Sequence, residues 1–374
     1  MTPIYFDNAA TTALEPRVKK AIIEAMEADG NPSSSHSMGR KSKALIESSR
    51  SQVSNLFGCQ PSEIIFTSGG TEADNLAILG TVESGKVSTI ISSPIEHPAI
   101  IDSISKAQKL FNVEVKWVNV LPNGDIDLND LNLLLAVSPH ALVTLMHVNN
   151  EIGNILDLVR VGELCNEYSA IFHSDMVQSI GHFPINLNDY PIDLASCSAH
   201  KIHGPKGIGF LYRKKGTPLI AQSNGGKQER EVRGGTENLL GIIGFSTALS
   251  IAIAEIDEIN AKVLSLKKYF IQQVTSHFES VKFNGQSGNL DTSVNSVVSL
   301  NFPNATNNDM VLFQLDLKGI CVSGGSACSS GAASGSHVLN AINVGGASIR
   351  FSFNKENTRQ EIDSVVETLK ELMT

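Results

Sequence analysis

Lys201 lies in Ser198-Ala199-His200-Lys201, directly after the apolar run DLASCS (193–198) and before the turn HGPKG. A lysine at the end of a buried strand can lose its proton by desolvation and attack a carbonyl, the requirement for a Schiff base with an aldehyde cofactor. A solvated surface lysine would leave the same trace. Asp175 ends a second apolar run, SAIFHSD (169–175), with Gln178 three residues further on. A carboxylate there can hold the protonated pyridine nitrogen of pyridoxal phosphate, or simply cap a helix. Ser68-Gly69-Gly70-Thr71-Glu72 separates EIIFT (63–67) from the helical pattern EADNLAILG. A glycine turn at a helix N-terminus exposes unpaired N–H groups and a positive dipole end, which suit a phosphate, with the Thr71 hydroxyl as a further donor. Ser198 and His200 could reach the same phosphate. No G-x-x-x-x-G-K-[ST] loop is present, and an ordinary strand-to-helix turn is the alternative.

Three further positions complete the set. His97, in Glu96-His97-Pro98, precedes a proline that marks a helix start; its imidazole could stack on a cofactor ring and shuttle protons, or cap the helix. The run ALVTLMHV (141–148) ends in Asn149-Asn150-Glu151, whose amides could contact a ring hydroxyl or a substrate carboxylate, or serve as turn residues. Cys328 sits in Ser323–Ser336 (SGGSACSSGAASGS), a loop without a bulky side chain, so the loop should be mobile and the thiol reachable. The other four cysteines, Cys59, Cys165, Cys197 and Cys321, occupy strand-like, helical or loop-edge settings and read as structural.

Elements that could position these groups follow from the hydrophobic pattern. Seven short β-branched runs (63–67, 88–93, 113–120, 141–148, 169–175, 193–198 and 207–213) alternate with helix-like segments, the signature of a mostly parallel sheet covered by helices. Polar groups then gather beyond the strand C-termini. After GGTEN (234–238) the pattern changes to a long apolar stretch and a charged helical segment to about 278. A smaller α+β unit follows, with strands 296–302 and 348–353, helix 308–319, and a last helix opened by Thr358 and Glu361 at capping-box spacing. The 374 residues carry 29 basic and 38 acidic side chains, a net charge of −9, which argues against nucleic-acid binding or an acidic membrane surface. Five cysteines, an odd number without a C-x-x-C pair, read neither as a disulfide framework nor as a zinc site and suit a reducing compartment. No signal-like segment opens the sequence, so a cytoplasmic location is expected. The uncharged stretch 238–254 is flanked by acids and interrupted by Asn, Ser and Thr, and reads as a buried helix rather than a membrane span.

Taken in order, YFDNAATT (5–12), GNPSSSHSMGR (30–40), FTSGGTEADNLAI (66–78), EHPAI (96–100), VNNEIG (148–153), FHSDMVQ (172–178), SAHKIHGPKGIG (198–209), RGGTEN (233–238), GSACSSG (325–331) and SIRFS (348–352) resemble the pyridoxal-phosphate-dependent cysteine desulfurases of the NifS/IscS type, within the class-V aminotransferases. The resemblance spans nearly the whole chain. It implies an α/β fold, PLP-dependent fold type I: a large domain, 14–254, with a mostly parallel seven-stranded sheet sandwiched by helices, and a small α+β domain, 255–374 with residues 1–13, carrying the cysteine loop. It implies that Lys201 attaches the cofactor, Asp175 pairs with the pyridine nitrogen and His97 stacks on the ring. Gln178 and Asn149 would contact the hydroxyl side. Gly70, Thr71, Ser198 and His200 would bind the phosphate, joined by Thr236 of a neighbouring subunit, so a homodimer is implied. Arg350, with Asn149, would clamp the substrate carboxylate.

The implied reaction converts L-cysteine to L-alanine and leaves the sulfur on Cys328 as a persulfide, for delivery to a sulfur-acceptor protein such as an iron–sulfur scaffold or a thiolation relay. A selenocysteine lyase or an aminotransferase on the same scaffold is the alternative. No metal, nucleic acid or membrane is implied. Two departures stand out: Gly70 replaces the alanine of many relatives, which should leave phosphate binding by the backbone intact, and Lys227-Gln228 alters the stretch before RGGTEN.

Overall fold

The computed structural model describes residues 3–305, 308–325 and 335–373. The chain opens with β1 (Ile4–Tyr5), α1 (Pro16–Ala25), α2 (Ser37–Leu56), β2 (Ile64–Thr67), α3 (Gly70–Glu83), β3 (Thr89–Ser92) and α4 (Pro98–Phe111). Next come β4 (Glu114–Trp117), α5 (Leu128–Ala136), β5 (Ala141–Thr144), α6 (Leu158–Glu167), β6 (Ile171–Asp175), β7 (Leu194–Ser198) and β8 (Gly209–Arg213). The remainder is α7 (Leu239–Ala254), α8 (Ile256–His277), β9 (Lys282–Phe283), β10 (Val297–Phe302), α9 (Asn308–Leu317), β11 (Ile320–Cys321), α10 (His337–Ala341), β12 (Ala347–Ser352) and α11 (Arg359–Met373).

The seven strands expected from the apolar runs form one sheet in the order β2-β8-β7-β6-β5-β3-β4. All pairs are parallel except the two made by β8, which runs antiparallel to β2 and β7. Strand alternation sends Ile64, Phe66, Ile91, Val143 and Phe172 to one face, covered by α1, α2, α5, α6 and α7. It sends Ile65, Ile90, Leu142 and Leu211 to the other, covered by α3 and α4. Helices on both faces explain why the central strands read as continuous apolar runs. Only the edge strand β4 is largely open to solvent. The stretch 238–254 is the buried helix α7, packed on α1 and α2. Among the described residues no single helix is long and apolar enough to cross a membrane.

A second, antiparallel sheet, β12-β10-β9, has its own core with α8, α9 and α11, built around Phe270, Leu300, Phe351 and Ile362. The chain start belongs here: β1 pairs in parallel with β11, and Phe6 packs on Phe353 with ring centroids 5.2 Å apart. Residues 7–13 then run back to the large sheet. The capping box of α11 is present, with the Thr358 amide donating to Glu361 Oε2 at 2.7 Å and the Glu361 amide to Thr358 Oγ1 at 3.2 Å.

Candidate active site

Parallel strands end on one edge of the sheet, and the residues that follow β3, β6 and β7 meet the first turn of α3 there. They enclose a cavity of about 190 Å³ lined by Gly70, Thr71, His97, Asp175, Gln178, Ser198, His200, Lys201 and Arg350. An open depression of about 350 Å³ shares Gly70, Thr71, Ser198 and His200 with it and adds Thr11, Ser68 and Lys206. Nine positions singled out in the sequence therefore converge.

Lys201 follows β7 in a short 3-10 turn that swings its side chain over the chain start, where Nζ donates to the carbonyls of Ala9 at 2.5 Å and Ala10 at 2.8 Å. Gln178 Nε2 donates to the same Ala9 carbonyl at 2.9 Å. The Thr12 amide and hydroxyl both donate to the His200 carbonyl at 2.9 Å. Residues 9–12 thus brace the lysine from below. Asp175, at the last position of β6, is buried, and its Oδ1 accepts the Val177 amide at 2.9 Å. Burial pushes its carboxyl up, while His97 and Lys201 pull it back down.

His97 is the N-cap of α4, preceding Pro98, and its Nδ1 accepts the Ala99 amide at 3.1 Å. That bond assigns the proton of the neutral ring to Nε2. Burial lowers its pKa, opposed by Asp175, so the ring is neutral at pH 7. His200 is held down to about 4, by burial first and then by Lys201 and Lys206. It therefore offers an anion a neutral N–H donor, not a charge. The cationic field at the open depression comes from Lys206 and the N-terminus of α3.

Gly69, the N-cap of α3, has φ 152°, and a Cβ there would approach only Ser198 Oγ, at 3.7 Å. Conformation, not space, requires glycine at that position. At Gly70 the reason is space: a Cβ would lie 2.7 Å from Val177 Cγ2. Gly70→Ala is therefore expected to cost about 1–3 kcal/mol of stability through overpacking, and Gly70→Ala with Val177→Ala to recover most of it. Urea unfolding of the three proteins checks this; a single variant as stable as the parent would show that Val177 moves aside freely.

Arg350, in the middle of β12, is only 1% exposed yet lines the cavity. Its Nη2 donates to Asp7 Oδ1 at 2.8 Å and Nη1 to the Asn150 carbonyl at 2.8 Å, while Nε has no hydrogen-bond partner among the described residues. A substrate carboxylate arriving there would share the guanidinium with Asp7. Ser323 Oγ also donates to Asp7 at 2.7 Å, and Ser336 Oγ donates to Glu151, so the described ends of the cysteine loop rest against the same region. Cys328 itself lies outside the described residues.

Two expected residues do not line this cavity. Asn149 is buried with its amide fully engaged: Nδ2 donates to the Ile95 carbonyl at 2.9 Å, and Oδ1 accepts the amides of Glu151 and Ile152. It shapes the 149–152 loop, and Asn150 faces the cavity in its place. Asn149 borders instead a larger cavity of about 490 Å³ behind Glu96 and Met146, which contains neither Lys201 nor Asp175. Thr236 lines a separate hollow with Ser68, Glu229 and Arg233. Within one protomer it does not reach the Lys201 cavity.

Sequence reasoning passed over Asp7, Asp74 and Lys206. For Asp7 the signal was its place in YFDNAATT, quoted without a role. For Asp74 it was an acid among the buried Ala73, Leu76, Ala77 and Ile78 of α3.

The chain matches the family model described as aminotransferase class-V over residues 4–365. It is 39% identical over 378 residues to the cysteine desulfurase IscS of Dictyoglomus turgidum, covering 99% of this chain and 94% of that protein. It is 38% identical over 380 residues to the cysteine desulfurase IscS of Pseudoalteromonas translucida, covering 98% and 92%. Among solved structures it is similar to a NifS-like protein with TM-score 0.90, 34% identity and coverage of 100% and 99%. The NifS-like protein from Rickettsia africae is as close in shape, with TM-score 0.89, 35% identity and coverage of 99% of each chain. With a lysine, a buried aspartate and a glycine-opened helix meeting at one sheet edge, and a family match that runs through both sheets, this chain belongs to the class-V aminotransferase family.

Proposed function

We propose that the protein is a pyridoxal-phosphate-dependent cysteine desulfurase. The observation that carries the proposal is the convergence, in one cavity, of the Lys201 amine, the buried Asp175 carboxylate and the N-terminus of α3, in a chain with full-length similarity to cysteine desulfurases. These residues fit the cofactor's chemistry: an amine for its carbonyl, a carboxylate for its ring nitrogen, and a cluster of N–H and hydroxyl donors for its phosphate. Bound there, pyridoxal phosphate supplies an electron sink for bond breaking next to the substrate's α-carbon.

Every other task falls to this chain. Asp175 holds a proton at the pyridine nitrogen. Gly70, Thr71, Ser198 and His200 hold the phosphate, and Thr236 of a second subunit completes the open depression, which makes the working unit a homodimer. Gln178 lies toward the hydroxyl side of the ring, and Asn149 acts there by shaping the loop that ends at Asn150. Arg350 takes the carboxylate of L-cysteine, with Asp7 fixing the plane of its guanidinium. Lys201 Nζ, once released, moves the α-proton, and the neutral Nε2–H of His97 is the second proton carrier.

The thiolate of Cys328 attacks the substrate sulfur. As the new sulfur–sulfur bond forms the carbon–sulfur bond breaks, and the electron pair left on the substrate's β-carbon takes up a proton to become the methyl group of alanine. Alanine is then released, and the terminal sulfur goes to an acceptor protein. Residues 255–374 with 1–13 form the unit that presents Cys328 to residues 14–254. Incubating the cofactor-loaded protein with L-cysteine and a thiol reductant should yield alanine and sulfide in equal amounts. Transfer of the cysteine amino group to an added keto acid, without sulfide, would establish the aminotransferase alternative instead.

A further inference from the structure

In the wall of the cavity lies a group to which the reaction assigns no task. Asp74 sits one turn into α3, 1% exposed, and its Oδ1 has no hydrogen-bond partner among the described residues. One polar side-chain atom each of Asp74, Asp175 and His97 lies within 4.8 Å of the others, so two buried carboxyl groups share one small space. The groups facing Asp74 come from every packed element. From β6 come Asp175 and His173, whose Nε2 is 3.7 Å away; from β7 comes Ser196; from the turn before α4 come Glu96 and His97.

The positive charge of Lys201 falls on Asp175, whereas Asp74 meets burial and the carboxyls of Asp175 and Glu96, opposed by a hydrogen bond from Ser196. His173 does not compensate it. Both ring nitrogens are engaged by hydroxyls, Nδ1 with Thr144 Oγ1 at 2.8 Å and Nε2 with Ser196 Oγ at 3.0 Å, and burial holds its pKa down to about 3. Two like charges this close and this deeply buried, with Lys201 acting on Asp175 alone, do not both persist; one carboxyl keeps its proton.

We propose that Asp74 is a permanently protonated acid that confines the single negative charge of the pair to Asp175. Were Asp74 ionised, Asp175 would take up the proton and cease to be a partner for a pyridinium nitrogen. Asp74 is therefore a positioning residue acting through Asp175, and this consequence rests on the cofactor reading above.

The protonation itself is testable without cofactor. In the apoprotein labelled with ¹³C at aspartate carboxyls, one buried aspartic acid is expected to stay protonated at pH 7, seen by carboxyl NMR and by its infrared carbonyl band. That signal should vanish in Asp74→Asn and persist in Asp175→Asn. Absence of the signal from the wild type, its loss in Asp175→Asn alone, or an imidazolium ¹⁵N signature from His173 would overturn the proposal; the wild-type spectra suffice if a variant does not fold. In the loaded protein, Asp74→Asn should leave the pH midpoint of the visible band in place, while Asp175→Asn shifts it by about one unit or more. A midpoint that moves in Asp74→Asn contradicts a neutral Asp74. A midpoint unmoved in Asp175→Asn contradicts the pyridine assignment and leaves the protonation result standing.

Discussion

Cys328→Ser is expected to keep the visible band of the cofactor-loaded protein and to lower alanine release from L-cysteine by roughly 10²- to 10⁴-fold, the usual scale for losing a positioned catalytic group. Serine occupies the same space but cannot form a sulfur–sulfur bond, and at neutral pH its hydroxyl offers almost no anion. The described thiols are poor substitutes. Burial pushes Cys59 up to about 12 and raises Cys165 and Cys197 as well. Burial and the charges of Asp316 and Asp7 also raise Cys321. Lys201→Ala is the companion experiment. It should lose both alanine release and the covalent, borohydride-reducible attachment of the cofactor, because no other amine lines the cavity among the described residues. Parental alanine release by Cys328→Ser would sink the persulfide route, and a reducible band retained in Lys201→Ala would move the attachment site elsewhere.

The largest stability effect is expected away from the chemistry, at Arg50 and Glu229. These side chains, 3% and 2% exposed, form a two-pronged ion pair with both N···O distances at 2.7 Å. Arg50 also donates to the Ile64 carbonyl at 2.8 Å, the Phe66 amide donates to Glu229 at 2.9 Å, and the guanidinium lies 4.7 Å from the Phe66 ring centre. Glu229, Arg230 and Glu231 are three successive residues with positive φ, at 42°, 56° and 67°. Each is strained, because a Cβ in that region crowds the next carbonyl. The pair offsets that strain by tying the turn to α2 and β2.

Arg50→Met leaves the buried Glu229 charge unmatched and should cost about 3–5 kcal/mol. Glu229→Gln leaves Arg50 only the half-exposed Glu47, at 3.1 Å, and should cost less, whereas Arg50→Met with Glu229→Leu should cost far less than the sum of the two. Urea unfolding followed by circular dichroism measures this, and single losses below about 1 kcal/mol would mean that the turn needs no anchor. The same turn leads to Arg233, which is ion-paired with Glu72 at 2.9 Å beside the phosphate-binding turn, and on to Thr236. Loosening the anchor should therefore also weaken cofactor retention.

Much of the site was readable from local pattern. Asp175, Ser198 and Lys201 stand where apolar runs end, and in a helix-covered parallel sheet those ends share one edge. Gly69 and Gly70 mark a helix N-terminus, although the packing of Gly70 against Val177 was not readable from the sequence. The stretch 238–254 could be read as a buried helix because its flanking acids and interrupting polar groups make a poor membrane span. Asn149 shows where pattern fell short: the two neighbouring amides of Asn149 and Asn150 look equivalent in sequence, and only the path of the loop turned the first inward and the second toward the cavity. Arg350 shows the reverse, since a charge in mid-strand stands out, but its partner Asp7 is 343 positions away.

What the sequence by itself determined is therefore the set of elements and the edge at which reactive groups collect, because strand and helix periods and turn chemistry act over a few residues. Only the tertiary structure decided which charged groups meet: Arg50 with Glu229 across 179 positions, Asp7 with Arg350, and Asp74 within 4.8 Å of Asp175. Those pairings depend on distance and water exclusion. Both are properties of packed space that no local pattern encodes.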